Sequence, residues 1–277
     1  MKSPKKWHEK IADWKTDSED FKTLKDLIIL YDFLDIYGSA INQYLTSTFS
    51  GIKYIAPIRA TAERYYRIQH LAVDEVDPNG KNLPVFLDSL TDTQMSSFQN
   101  WTNENFGFRT KITKIEGHYS IKIVHEDGYE INLSDMGFGY SQILPIITQL
   151  WYTASKFANR RNVISYYRSN RNIIVIEQPE LHLHPEFQAK FADALAQVIK
   201  LTKAEGTILS LIIETHSDII INRLGDCIIN NELSADDVNI VVFNKTSENQ
   251  PTKISISKID SDGNLINWPL GFFLPSK

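Results

Sequence analysis

Three short segments carry residue types and spacings that could do chemistry. The first, Asn132-Leu-Ser-Asp-Met-Gly-Phe-Gly-Tyr-Ser-Gln142, sets two glycines and two serines just ahead of a long apolar stretch. Backbone N–H groups at a helix start, which glycines let a ligand approach closely, can hold a phosphate. The same pattern also serves as an ordinary strand-to-helix turn. The second, Ile173-Ile-Val-Ile-Glu-Gln-Pro-Glu-Leu-His-Leu-His-Pro185, is an apolar run that ends in carboxylates. An acid stranded after such a run is costly unless it is paired or faces a metal. Glu177 suits Mg²⁺ held through water, with a neighbour positioning an attacking water. The third, Ile212-Ile-Glu-Thr-His-Ser-Asp218, again ends an apolar run in polar groups, and His216 stands among them. A lone histidine is more often structural. Here its place at the end of a second buried strand favours function, because ligands bind at the carboxyl ends of open parallel sheets.

These segments need a sheet to position them, and the periodicity supplies one. Phe21, Leu24, Leu27, Ile28, Tyr31 and Leu34 recur at three- and four-residue steps, so a helix is expected up to Gly38, with a second short helix from Ser39 to Thr48. Residues 52–56 read as a strand. The segment from Pro57 to Arg67 sets Arg59, Arg64 and Arg67 beside Tyr65 and Tyr66, and Asp77-Pro-Asn-Gly80 reads as a turn. A polar helical stretch runs to about Phe106. Alternation over 108–115, 118–125 and 129–133 predicts three strands, with Asp127-Gly128 as a hairpin turn.

Beyond Asp135 helix and strand alternate. Helices are expected from Ser141 to Phe157, with Pro145 in the first turn, from Pro185, and over 217–224. Strands are expected over 173–176, 207–213 and 238–243, with a C-terminal hairpin turning at Asp262-Gly263. This pattern implies an α/β fold. It has a mostly parallel sheet flanked by helices on both faces, an antiparallel hairpin region and an N-terminal helical segment. The expected divisions are 1–50 (helical), 51–245 (core) and 246–277 (a small β extension).

Composition excludes several classes. Apolar residues make up 42% of the 277-residue chain and charged residues 23%, so it can bury a sizeable core and is not disordered throughout. No apolar run comes near the roughly 20 residues that a membrane span needs, and Met1–Lys10 is not followed by a signal-peptide core. Cys227 is the single cysteine, which excludes a disulfide framework and a cysteine-rich zinc site. A cytoplasmic location, away from membranes, is expected. The net charge of −5 argues against a protein that coats nucleic acid, yet Lys156, Arg160, Arg161, Arg168 and Arg171 cluster without an acid among them. This is either a solvated loop or a nucleic-acid contact.

Taken in order, the three segments resemble the C-terminal half of an ABC-type ATPase head, closest to the RecF-like and OLD-like AAA ATPases. Tyr54-Ile-Ala-Pro-Ile-Arg59 and Asn267-Trp-Pro-Leu-Gly-Phe-Phe273 extend the likeness, the latter to a small C-terminal domain of unknown function. The resemblance implies an ABC-like P-loop NTPase half-fold that takes ATP and Mg²⁺ between two facing heads. It implies that Ser134, Gly137, Gly139, Ser141 and Gln142 form the signature loop and meet nucleotide in trans. Glu177 is then the Walker B acid on the metal side, Gln178 and Glu180 order the attacking water, His182 and His184 lie in the D-loop, and His216 is the switch histidine.

Two features depart from that pattern. The sequence contains no GxxxxGK[ST]; Gly80-Lys81 is followed by Asn82. The P-loop half is therefore expected outside these residues, on a partner head in a homo- or heterodimer, with an effector nuclease as a further partner in DNA repair or phage defence. Gln178 stands where a hydrolytic glutamate is usual, and an amide cannot accept the proton, so slow, clamp-like hydrolysis is expected. The competing reading is a non-hydrolysing regulatory subunit. Two other sites carry less weight. One is a metal at His182 and His184 with Glu180 and His216 nearby. The other is a nuclease centre at Asp260-Ser-Asp262.

Overall fold

A computed structural model describes residues 15–69, 73–125, 127–158, 171–245 and 250–269. The chain forms two units, residues 1–51 and 52–277. Among the described residues the first holds one helix, α1 (Glu19–Phe49), capped where the Ser18 side chain accepts from the Phe21 N–H. Gly38 does not end it, contrary to expectation. Glycine costs about 1 kcal/mol inside a helix, less than the flanking residues give back by continuing the hydrogen-bond ladder.

The second unit begins with β1 (Ile52–Ile55), β2 (Tyr66–Arg67), α2 (Leu83–Ser89) and α3 (Asp92–Phe106). Three strands follow, β3 (Arg109–Ile115), β4 (His118–Val124) and β5 (Glu130–Asn132). β4 pairs antiparallel with β3 along one edge, and with β2 and β5 along the other. Glu116 and Gly117, both at positive φ, make the tight β3–β4 turn. Then come α4 (Phe138–Ala158), β6 (Arg171–Glu177), α5 (Pro185–Ala204), β7 (Ile208–Glu214) and α6 (Asp218–Ile229). β1, β6 and β7 form a parallel sheet in that order, with Val175 opposite both Tyr54 and Ile212.

Helix α4 starts three residues earlier than its apolar period suggests, so Pro145 lies inside it rather than in the first turn. One face of the parallel sheet is core: Ile55, Ile174, Ile176 and Leu209 join Ile143 and Ile147 of α4 and Phe191 and Leu195 of α5 in one buried cluster. The expected cover on the opposite face is missing among the described residues. There Tyr54 is 40% exposed, Ile208 53% and Ile212 56%.

β8 (Ile240–Asn244), β9 (Lys253–Ile259) and β10 (Leu265–Ile266) form a separate antiparallel sheet. Its β8–β9 pairing runs across the division expected at residue 245. The Asp262-Gly263 turn docks on α6 at Gly225, where a Cβ would lie 2.7 Å from the Gly263 carbonyl oxygen. Among the described residues no helix is long and apolar enough to cross a membrane.

Candidate functional site

The carboxyl ends of β6 and β7 lie side by side, with Glu177 opposite Glu214. Strand parity puts Tyr54, Glu177 and Glu214 on the open face. Desolvation first, and then the neighbouring Glu177 carboxylate, push the Tyr54 phenol's pKa up. Next in sequence, Gln178 adopts φ 43°, a left-handed backbone that costs a side chain of this kind on the order of 1 kcal/mol. The turn is fastened from two sides. The Gln178 N–H donates to the Glu214 carbonyl at 2.8 Å, and the Arg59 guanidinium donates to the carbonyls of Ala56 (3.0 Å), Glu177 (3.4 Å) and Gln178 (3.3 Å).

Arg59 is 3% exposed, and its Nε has no hydrogen-bond partner among the described residues. Burial lowers its pKa to about 10, while the nearby Glu180 carboxylate acts in the opposite sense. It therefore stays charged at neutral pH. Its backbone carbonyl accepts from Gln142 Nε2 at 3.3 Å, which ties the first turns of α4 to the segment that follows β1.

The glycine-rich loop meets the turn after β6 directly. A Cβ on Gly139 would lie 2.8 Å from the His182 carbonyl oxygen, so only glycine permits this approach. The Phe138 ring meets the His182 ring edge-on at 4.7 Å. Together with Gly137, Leu183 and Phe187 they line an open cleft of about 330 Å³. Ser134 donates its hydroxyl to Asn132 Oδ1 at 2.7 Å and stays partly accessible. Ser141 and Gln142 are buried; Ser141 donates to the Phe138 carbonyl at 2.7 Å. Gly137 and Gly139, with Ser134, thus present the loop outward, whereas Ser141 and Gln142 turn inward.

Glu180 is engaged elsewhere. It accepts the Thr215 hydroxyl at 2.8 Å and the His216 backbone N–H at 2.7 Å. Ser217 N-caps α6, accepting from the Ile220 N–H at 3.1 Å and donating to Gln188 Oε1 at 2.6 Å. The His216 ring belongs to an exposed residue. His184 N-caps α5, its Nδ1 taking the Glu186 N–H at 3.3 Å, so it sits at a helix start rather than in a ligand set with His182. Asp260 Oδ1 accepts the N–H groups of Asp262 and Asn264, which makes that acid part of a turn.

In the basic segment the Lys156 ammonium lies 4.2 Å from the centre of the Tyr152 ring. Arg160, Arg161 and Arg168 lie outside the described residues, and Arg171 is described through its backbone pairing with Ile208.

Sequence reasoning noted Arg59 among tyrosines and other arginines without giving it a task, and it passed over Tyr54 and Thr215 as side chains. Their roles depend on register and on contacts across tens of residues. The only sequence signal was Tyr54-Ile-Ala-Pro-Ile-Arg59, a strand ending in a cation.

Residues 10–221 match the AAA ATPase domain family, and residues 233–273 match a family described as a protein of unknown function, DUF3696. No curated protein matches the chain significantly.

Proposed function

The chain belongs to the AAA ATPase domain family, and from that premise we propose that it supplies one half of a composite Mg-ATP site, which a P-loop-bearing half completes. One observation carries the reading. Among the described residues the parallel sheet leaves open the very face on which Tyr54, Glu177 and Glu214 gather toward the strand ends, with Ile212 exposed beside them and Ile208 exposed at the far end of β7. An apolar face that ends in acids suits a second polypeptide surface with a phosphate-bound cation at its rim.

Glu177 is the metal-side acid. Its oxygens are hard donors that match Mg²⁺, and the Tyr54 phenol stands near them on the same face. Mg²⁺ held there would supply positive charge against the nucleotide's phosphates. Ser134, Gly137 and Gly139 offer a hydroxyl and accessible backbone N–H groups to the nucleotide of a facing head. Ser141 and Gln142 hold that loop from inside. Gln178 orders the attacking water by hydrogen bonding and accepts no proton, while Glu180 bonds Thr215 and the His216 N–H. Hydrolysis is accordingly slow, and nucleotide acts as a clamp. His216 senses the γ-phosphate from the end of β7. His182 and His184 shape the D-loop between signature and Walker B segments. The biological setting is DNA repair or anti-phage defence in the cytoplasm. A nuclease is the effector, and Lys156, Arg160, Arg161, Arg168 and Arg171 contact nucleic acid.

Gln178 also favours a second reading, a regulatory subunit that binds its partner without hydrolysis. The test is turnover in complex with the P-loop half after Glu177→Gln, Gly139→Ala and His216→Ala. Loss in all three supports the composite site; normal turnover in all three refutes it. Partner binding with no turnover in the unaltered chain selects the regulatory reading.

A further inference from the structure

We propose that Glu180 is a positioning residue, a two-point clamp that fixes the backbone of the His216 segment, and not an acceptor of the attacking water's proton. The inference rests on the reading of His216 as the γ-phosphate sensor.

The clamp is built from both sides. On the β6 side, Glu180 sits in a turn closed by Leu181 N–H to the Gln178 carbonyl at 3.3 Å and by Leu183 N–H to the Glu180 carbonyl at 3.0 Å. Pro179, buried, restricts the backbone between Gln178 and Glu180. Arg59 holds the Glu177 and Gln178 carbonyls of this turn, and its buried charge attracts the Glu180 carboxylate.

On the β7 side, each carboxylate oxygen takes a different donor: Oε2 the Thr215 hydroxyl at 2.8 Å, Oε1 the His216 N–H at 2.7 Å. Thr215 Oγ1 then accepts the Ser217 N–H at 3.0 Å, and Ser217 caps α6. Residues 215–217 are thereby fixed between the end of β7 and the start of α6. A sensing ring needs this, since a group must be held within a fraction of an ångström to report on a phosphate oxygen. Hydrogen bonds to a charged acceptor are about twice as strong as neutral ones, so a carboxylate suits the clamp better than an amide. Each oxygen of Glu180 bonds the switch segment, and the ordering of the water falls to Gln178 in this reading.

The same arrangement links all three segments that carry the chemistry. Gln142, at the end of the signature loop, bonds the Arg59 carbonyl; Arg59 holds the Walker B turn; Glu180 holds the switch segment. A shift of the signature loop therefore has a short covalent and hydrogen-bonded route to His216.

The experiment uses the ¹⁵N-labelled 277-residue chain and amide hydrogen exchange. Glu180→Gln is isosteric and keeps one acceptor oxygen for two donors; Glu180→Ala keeps none. The expected result is faster exchange of the His216 amide, roughly tenfold or more in the alanine variant and less in the glutamine variant, while the Ile174 and Ile176 amides keep their rates. In complex with the P-loop half, Glu180→Gln combined with His216→Ala is expected to be no slower than His216→Ala alone, as befits a residue that acts through another.

Unchanged His216 exchange in both variants overturns the clamp, and so do losses in kcat that multiply. The exchange arm needs no nucleotide. A clamped His216 in a chain that takes Mg-ATP in no complex would sink the composite-site reading and leave the clamp standing.

Discussion

The face of the parallel sheet built from Ile55, Ile174, Ile176 and Leu209 packs with α4 and α5 and excludes water, whereas the face built from Tyr54, Val175, Ile208 and Ile212 is partly or largely open. The residue types are nearly the same and alternate along the same strands. Only the cover differs. Each isoleucine left in water forgoes roughly 1.5–3 kcal/mol of burial, so the open face stores driving force for association while the covered face holds the fold together. The acids stand on the open side, at the strand ends, where a second surface would meet them.

The contrast can be broken most sharply by truncation. Ile176→Ala on the covered face is expected to cost about 2–5 kcal/mol in urea unfolding. Ile212→Ala on the open face, 56% exposed, is expected to stay within about 0.5 kcal/mol. Equal losses would mean that the open face is packed after all. Next in size, Glu177→Gln is expected to slow turnover of the completed site by about a hundredfold with little change in unfolding midpoint, since it removes metal-side charge and no packing; steady-state kinetics and thermal melting together check this.

Gly139→Ala is expected to cost about 1–3 kcal/mol, because the added methyl meets the His182 carbonyl, which is backbone and cannot rotate away. Calorimetric melting reads it, and Gly137→Ala, with nothing within 4 Å, serves as the neutral control. Ile212→Asp is expected to leave the unfolding midpoint of the chain nearly unchanged and to abolish co-purification with the P-loop half.

The smallest effect lies away from both faces, in α6. Burial, and then the Asp193 carboxylate, push the Cys227 thiol up to about 12. The unfolded thiol ionises near 9, so its contribution to stability is whole below about pH 9 and is lost as pH rises toward 12. Alkylation at about pH 9 is expected to modify the unfolded chain and spare the folded one.

Much of the fold was legible because local signals agreed with the final packing. Asp127-Gly128 and Asp262-Gly263 both make turns, the alternation in 108–133 gave the antiparallel strands, and Pro185 with His184 before it starts α5. Gly38 and Pro145 misled for one reason: a breaker is a free-energy cost of limited size, and flanking helix can exceed it. The four apolar residues from Ile173 to Ile176 read as buried on both faces, since periodicity records side-chain type and not what covers it.

At the site, the order of Glu177, Gln178 and His216 along the chain announced the strand ends. The partners of Glu180 and Arg59 did not announce themselves, because Thr215 lies 35 residues from Glu180 and the Gln178 carbonyl 119 from Arg59. Such pairs exist only once the parallel register is set.

The account's central claim is that this chain provides half of a nucleotide site, and calorimetric titration of Mg-ATP tests it most directly. The purified chain alone is expected to give no binding heat, and the chain with its P-loop half is expected to bind. Tight Mg-ATP binding to the chain alone would contradict the claim, because it would require a complete phosphate cradle within these residues.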